Sequence, residues 1–297
     1  MKRNPELVFV SGAGSGIGRA TARRFARMGA VAIATDINID TARETAELIH
    51  REGGSAHAYR LDVSDAVAFE ELAERIRVEH GVPDVAVNNA GMMLGGTFLE
   101  HSMQDWHRML GVHLMGVVHG SRLFGAQMAE RGRGGHLVNV SSVASFSSAP
   151  YCASYCTSKS AIRMLSESLH AELATSGIGV SAMCFGLINT NIGDSAELLE
   201  LSGETADTGK SLVSALMNML GSDPDYAAKM IVSAVRRNRV VVPVRPEAYA
   251  LYALSRATPG LLRGVMTVAA RVGSKPNLER LGRIGARHKP AIESLAS

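Results

Sequence analysis

Apolar residues along this chain fall into short, dense runs, each followed by a stretch in which they recur every three or four positions. The first run, residues 6–11, is rich in β-branched side chains and ends at Gly12; residues 19–28 then carry Ala, Phe and Met at helical spacing as far as Gly29. That order is strand, glycine turn, helix. The unit recurs as a strand at 31–35 with a helix at 39–52, a strand at 56–61 with a helix at 64–80, and a strand at 84–88. Further strands are expected at 135–140, 179–184 and 239–242. Strands at this spacing, separated by helical segments, pair in parallel through right-handed crossovers. The pattern predicts an α/β fold: a seven-stranded, doubly wound parallel sheet forming a single domain over residues 1–243, with 244–297 as an appended extension.

Composition changes this picture little. A chain of 297 residues fits one large domain better than two small ones. Its 31 basic and 28 acidic residues leave a net charge of +3, too weak a bias to expect nucleic acid as a partner. The charge is unevenly spread, however. From Val244 to Ser297 nine Lys/Arg face three Asp/Glu, so this tail carries about +6 and the rest about −3. Cys152, Cys156 and Cys184 are an odd number without metal-ligand spacing, so no metal is expected, and no secretory signal precedes the first apolar run. No apolar stretch reaches the roughly 18 residues needed to span a bilayer, and the expectation is a soluble, cytoplasmic protein that at most lies on a membrane.

Candidate chemistry begins at Ser11-Gly12-Ala13-Gly14-Ser15-Gly16-Ile17-Gly18, between the first strand and the first helix. Backbone N–H groups at such a helix start, those of Ser15, Gly16 and Ile17 included, can meet a pyrophosphate. Gly12, Gly16 and Gly18 give the spacing Gly-x-x-x-Gly-x-Gly, glycines being needed because a Cβ would block close approach. A merely tight turn is the alternative, and the strand–turn–helix context favours the nucleotide. Asp36 follows the second strand about twenty residues on, where a carboxylate accepts hydrogen bonds from a ribose 2′-OH and repels a 2′-phosphate. Capping the next helix is its alternative role, but Asp40 and Thr41 already offer caps there. NAD is therefore expected rather than NADP.

Tyr155-Cys156-Thr157-Ser158-Lys159 opens another expected helix, and the i to i+4 spacing puts phenol and ammonium on one face. A tyrosine is a poor base at neutral pH unless a cation favours its phenolate, and Lys159 supplies that cation. Alone, the pair is common by chance and reads more readily as an ordinary exposed helix pair. Its weight comes from its company: with Asp62-Val63, Asn88-Asn89-Ala90-Gly91 and Asn139-Val140-Ser141-Ser142 in order, these motifs resemble the short-chain dehydrogenases/reductases over residues 6–192.

The resemblance implies a Rossmann-type fold and interconversion of an alcohol and a ketone. By it, Ser142 orients the substrate oxygen while Ser141 is structural, Tyr155 exchanges the proton, and Lys159 also holds the nicotinamide ribose. Asp62 and Val63 would contact the adenine, Asn89 and Gly91 would line the adenosine side, and Ile188 and Thr190 would touch the nicotinamide carboxamide. A homodimer or homotetramer through the helices at 110–128 and 155–174 is also implied. Two positions depart from the family. Where it usually carries Asn in a kinked helix, holding a proton-relay water, this chain has His113, which could bind that water, relay a proton itself, or be tolerated in a slower enzyme. Where it usually has Pro-Gly after the sixth strand, this chain has Phe185-Gly186; without the proline the loop is expected to be less rigid, with Phe185 flanking the nicotinamide.

For the substrate, residues 192–221 occupy the lid position of this family and are rich in Leu, Met and Val, which suits an apolar substrate or, equally, ordinary amphipathic packing. Met92, Met93 and Leu94 extend an apolar wall or join the core. The segments 246–254 and 259–272 place apolar residues at helical spacing with Arg256, Arg263 and Arg271 between them. Such a segment can lie on an anionic membrane, form an oligomer contact or cover the sheet edge. The run 180–192 resembles actinobacterial members with lipid-like substrates. The leading expectation is an NAD-dependent enzyme acting on a hydrophobic secondary alcohol or ketone; the alternatives are an NADP-linked 3-oxoacyl reductase and a catalytically silent NAD-binding sensor or scaffold.

Overall fold

The computed structural model describes residues 5–189, 197–198 and 221–272. Its first half runs β1 (Leu7–Ser11), α1 (Gly16–Ala26), β2 (Val31–Asp36), α2 (Ile39–Arg51), β3 (Ser55–Arg60), α3 (Ala66–Glu79) and β4 (Val85–Asn88). After a two-residue strand, β5 (Leu94–Gly95), come α4 (Met103–Leu110), α5 (Gly116–Arg131), β6 (Gly135–Ser142), α6 (Ala153–Leu173) and β7 (Ile178–Phe185). A second short strand, β8 (Glu197–Leu198), pairs with β5, and α7 (Pro224–Arg237), β9 (Val241–Pro243), α8 (Pro246–Ala257) and α9 (Pro259–Val272) follow. Seven strands form one sheet in the order β3-β2-β1-β4-β6-β7-β9, every pair parallel. This is the doubly wound sheet expected from the pattern, and its order reverses between β1 and β4, where such sheets form their binding crevice.

β1 is apolar from Leu7 to Val10 because both its faces are covered. Val8 and Val10 pack with Phe25 of α1, Ile49 of α2 and Ile231 of α7. Leu7 and Phe9 pack on the other face with Phe69 and Ile76 of α3 and Phe124 and Met128 of α5. The Phe9 ring centroid lies 4.5 Å from that of Phe124 and 5.9 Å from that of Phe69. A ladder of polar side chains crosses this interior: Asn88 Nδ2 donates to Asn139 Oδ1 at 2.8 Å and to Ser121 Oγ at 3.2 Å, and Asn139 Nδ2 donates to Ser166 Oγ at 3.0 Å. The ladder ties α5 and α6 to β4 and β6 and so fixes the ends of these two strands.

Several boundaries shift for local reasons. α1 starts at Gly16 rather than 19 because Arg19 N already donates to Ser15 O. Asn38, not Asp40 or Thr41, caps α2, its side chain accepting from Asp40 N at 3.0 Å. β9 starts at Val241 rather than 239 because Asn238, with φ of 49°, ends α7 and Arg239 N turns back to Ala234 O. α4 passes into α5 through a π-helical turn at Gly111–Met115, a widened turn of the kind found at functional sites. No helix among the described residues is long and apolar enough to cross a membrane.

Two imidazoles are fully enclosed by this packing. His136 of β6 pairs with Ser181 Oγ at 2.8 Å, and burial pushes its pKa down to about 3. Burial also holds His113 well below the usual histidine value. Both rings are neutral when folded and take up protons when unfolded, so stability is lost as pH falls below about 6.5 towards the folded-state values. Between pH 7 and pH 5 the unfolding free energy is expected to drop by about 4 kcal/mol. Urea titrations at the two pH values measure this, and an unchanged midpoint would refute neutral burial of the two rings.

Candidate active site

The glycine turn is shaped by two close approaches. Gly12 has φ of +63°, and a Cβ there would stand 2.8 Å from Ala90 Cα; a Cβ on Gly18 would run into Gly12 O. From the far side Asn89 pins the turn, Nδ2 donating to Ser11 O at 3.0 Å and to Gly12 O at 3.1 Å. Ser15 caps α1 without a side-chain cap bond and no acid occupies the first turn, so the positive end of the helix is left for an anion. Asp36, at the end of β2, accepts from Gly14 N at 3.0 Å through Oδ2 and from Asn38 N at 3.0 Å through Oδ1. Each oxygen keeps further acceptor capacity. Arg19, a cation that a 2′-phosphate could recruit, is committed to Glu44 at 2.6 Å and also donates to Thr45 Oγ1.

The other end of the crevice holds Ser142, Tyr155 and Lys159. Ser142, the last residue of β6, accepts from Ala144 N at 3.2 Å, and its hydroxyl acts to lower the pKa of the Tyr155 phenol. Tyr155 sits in the first turn of α6, and one turn on Lys159 places Nζ 5.6 Å from the centroid of its ring. Lys159 Nζ donates to Val140 O at 3.0 Å, and Ser141 Oγ donates to Lys159 O at 2.8 Å, a tie between β6 and α6. Burial pushes the Tyr155 pKa up, the Ser142 hydrogen bond working against it, and burial pulls Lys159 down to about 8. Burial thus acts on the phenol in the direction opposite to a cation that favours its phenolate. The thiols are equally protonated, burial pushing Cys152 and Cys184 up to about 11 and raising Cys156.

His113 lies in the π-helical turn, fully buried, its ring 5.5 Å from that of Tyr155 at an interplanar angle of 75°. Nε2 accepts from Met92 N at 2.9 Å, which leaves the proton on Nδ1, directed at Ser158 Oγ 2.9 Å away. Ser158 Oγ in turn donates to Tyr155 O at 2.8 Å. Both ring nitrogens are occupied, so the geometry leaves neither for the relay water.

A single crevice of about 440 Å³ runs from Asp36 past the turn to Ser142, Tyr155 and Lys159, with Gly91, His113 and Ile188 on its wall. Three of the expected residues that the structure describes do not line it. Gly18 supports the turn from beneath; Asp62 is turned to Ser64, accepting from its N at 2.9 Å and its Oγ at 2.6 Å; Val63 is buried beside Gly116. Thr190 lies outside the described residues, as do 273–297 and most of the lid at 192–221. Leu94 is fully buried in β5, and neither Met92 nor Met93 reaches the crevice wall. Phe185 does line the crevice, as do Ile37, Ala90, Val140 and Gly186, which the sequence reading does not single out. Their signal is adjacency to Asp36, Asn89, Ser141 and Phe185. Among the described residues no group of three His, Cys, Asp or Glu is arranged to hold a metal ion.

A family model described as short chain dehydrogenase matches residues 6–198. The chain belongs to the short-chain dehydrogenase family. Within it, the Mycobacterium tuberculosis protein described as "Probable oxidoreductase EphD" is 46% identical over 259 residues, which cover 86% of this chain but 44% of that protein. This short-chain dehydrogenase thus spans less than half the length of that relative, whose mycobacterial source agrees with the actinobacterial resemblance. The meso-2,3-butanediol dehydrogenase of Serratia marcescens is 31% identical over 229 residues, 75% of this chain and 90% of that protein. A solved short-chain dehydrogenase/reductase from Burkholderia phymatum, in complex with NAD, matches with a TM-score of 0.80 at 27% identity, covering 89% of this chain and 97% of that one.

Proposed function

We propose that this short-chain dehydrogenase interconverts a hydrophobic secondary alcohol and its ketone with NAD(H), Tyr155 serving as general acid and base. The observation that carries the reading is the continuous crevice joining Asp36, the open end of α1 and the Ser142, Tyr155 and Lys159 group. The residues fit a dinucleotide: the turn leaves space that a Cβ would fill, the first turn of α1 offers N–H donors to a pyrophosphate, and Asp36 offers acceptors to ribose hydroxyls. Bound there, NAD would accept or deliver a hydride. The remaining work belongs to this chain. Ser142 hydrogen-bonds the substrate oxygen as charge develops on it. Tyr155 gives that oxygen a proton in reduction and takes one in oxidation. Lys159, anchored to Val140 O, favours the phenolate when the proton leaves.

Support for an apolar substrate comes from Val140, Phe185 and Ile188 at the catalytic end of the crevice and from the Leu- and Met-rich lid sequence. We read the protein as a homodimer or homotetramer through α5 and α6, where Met115 and Met164 are exposed, acting in the cytoplasm with a peripheral membrane contact through its C-terminal helices. NADH is expected to serve better than NADPH across a panel of ketones of increasing chain length. Asp36→Ala is expected to reduce the NADH:NADPH ratio of kcat/KM about tenfold, the equivalent of one lost charge repulsion. Preference for NADPH in the unaltered protein sinks the cofactor reading, and absence of turnover with either nucleotide across ketones and alcohols sinks the enzymatic one.

A further inference from the structure

We propose that Tyr252 is a positioning residue for the reaction: from α8 it holds, through Phe146, the turn that aims the Ser142 hydroxyl into the crevice. The proposal rests on the reading of Ser142 as the group that meets the substrate oxygen. It adds a residue beyond the segment 6–198 that the family model matches.

Ser142 ends β6 and caps the short 3₁₀ turn Val143–Ser145. Its Oγ accepts from Ala144 N at 3.2 Å, so the turn occupies one acceptor position of the hydroxyl and sets the direction left for the substrate. Two bonds close the turn. Phe146 N donates to Val143 O at 2.9 Å, and Ser145 Oγ donates to Ser142 O at 2.7 Å. A turn this short has few bonds of its own, and what packs on its outer side decides how firmly it keeps its shape.

α8 supplies that packing. The Tyr252 ring lies against buried Phe146, with centroids 4.8 Å apart and an interplanar angle of 47°. Arg256, one helical turn on, sits 5.6 Å from the centroid of the Tyr252 ring, and its Nη1 is 3.5 Å from the phenol oxygen. The start of α8 is fixed in its turn: Val244 N donates to Cys184 O at 3.1 Å, Arg245 pairs with Glu247 at 2.7 Å, and Ala248 is fully buried. Cys184 faces Ser141 in the register of β6 and β7, and its Sγ is 3.7 Å from Ser145 Oγ. The contacts form a closed circuit from the Ser142 turn to β7, from β7 to the start of α8, and through Tyr252 back to Phe146. Neither Phe146 nor Tyr252 lines the crevice, so Tyr252 reaches the reaction through Ser142 and not by contact with a bound molecule. Without its ring, Phe146 loses its cover, the Ala144 N–H shifts, and Ser142 Oγ no longer meets the substrate oxygen at its working angle.

The test combines ketone turnover, nucleotide titration and hydrogen exchange of the peptide that carries residues 142–148. Tyr252→Ala is expected to lower kcat about tenfold, leave nucleotide affinity unchanged and speed exchange at Ala144 and Phe146 by a similar factor. Tyr252→Phe keeps the ring and is expected to restore all three. In a Ser142→Ala background, adding Tyr252→Ala is expected to lower kcat by about twofold at most, since nothing is left to aim. A full further loss in that background, a phenylalanine variant as impaired as the alanine one, or an alanine variant with the parent's kcat would overturn the proposal. Should Tyr252→Ala not fold, Phe146→Leu thins the same contact from the other side; it is expected to lower kcat roughly threefold, and unchanged kcat there overturns the proposal as well. A parent protein that turns over nothing refutes the enzymatic reading, and exchange alone then decides whether Tyr252 holds the turn. Turnover in the parent with unaltered kcat and exchange in the alanine variant refutes only the positioning role.

Discussion

Tyr155→Phe is expected to lower turnover about a thousandfold while dinucleotide affinity changes little. The substitution removes one hydroxyl and leaves the packing in place: the ring still meets His113 edge-on at 5.5 Å, and Lys159 remains fixed by Val140 O. What disappears is the proton donor and acceptor at the end of the crevice. The unaltered enzyme should show the matching pH dependence. Burial keeps the phenol protonated, so ketone reduction holds steady to near pH 8 and declines as Lys159, with its pKa about 8, loses its charge. Alcohol oxidation requires the proton to leave and climbs as pH rises. Initial rates in both directions for parent and variant decide the matter, and a variant retaining a tenth of the activity would remove Tyr155 from the proton-transfer step.

His113→Ala is the substitution with the next largest expected effect, about 3 kcal/mol of stability and a tenfold or greater loss in kcat. Emptying this site leaves the Met92 N–H without its acceptor and cuts the path from the loop after β4, through His113 and Ser158, to Tyr155 O. That path fixes the first turn of α6, and with it the phenol. We therefore read His113 as a positioning residue that acts on Tyr155 through Ser158, not as a relay. The two roles separate by measurement. A relay predicts an inflection near pH 6.5 that vanishes in the variant; a positioning role predicts lower activity with an unshifted profile, because burial keeps the imidazole neutral throughout.

The sheet was readable because its physics is local and repetitive. β1 is buried on both faces, so Leu7, Val8, Phe9 and Val10 form an uninterrupted apolar run, and the helices between strands repeat their apolar positions with the helical period. The turn was readable because close approach allows only glycine at positions such as Gly12 and Gly18. Less legible were features set by contacts distant in sequence. Strands of two residues, β5 and β8, have no period to detect. The π-helical turn depends on what His113 meets at Met92 and Ser158, neither of which is its chain neighbour. The direction in which the Tyr155 pKa moves follows from enclosure by several elements together, which the i to i+4 spacing of Tyr155 and Lys159 does not reveal. The packing of Tyr252 on Phe146 spans more than a hundred residues of sequence, and no motif announces it.

All strands of the main sheet point the same way, so Gly12, Asp36, Asn89, Ser142 and Gly186 follow or end different strands at one rim. The opposite rim carries His57, His80, Asp84 and Arg131, the last two paired at 2.9 Å. The molecule consequently has a working end and a supporting end. Loops on the first can be exchanged one at a time to alter what is recognised while the layers beneath stay intact.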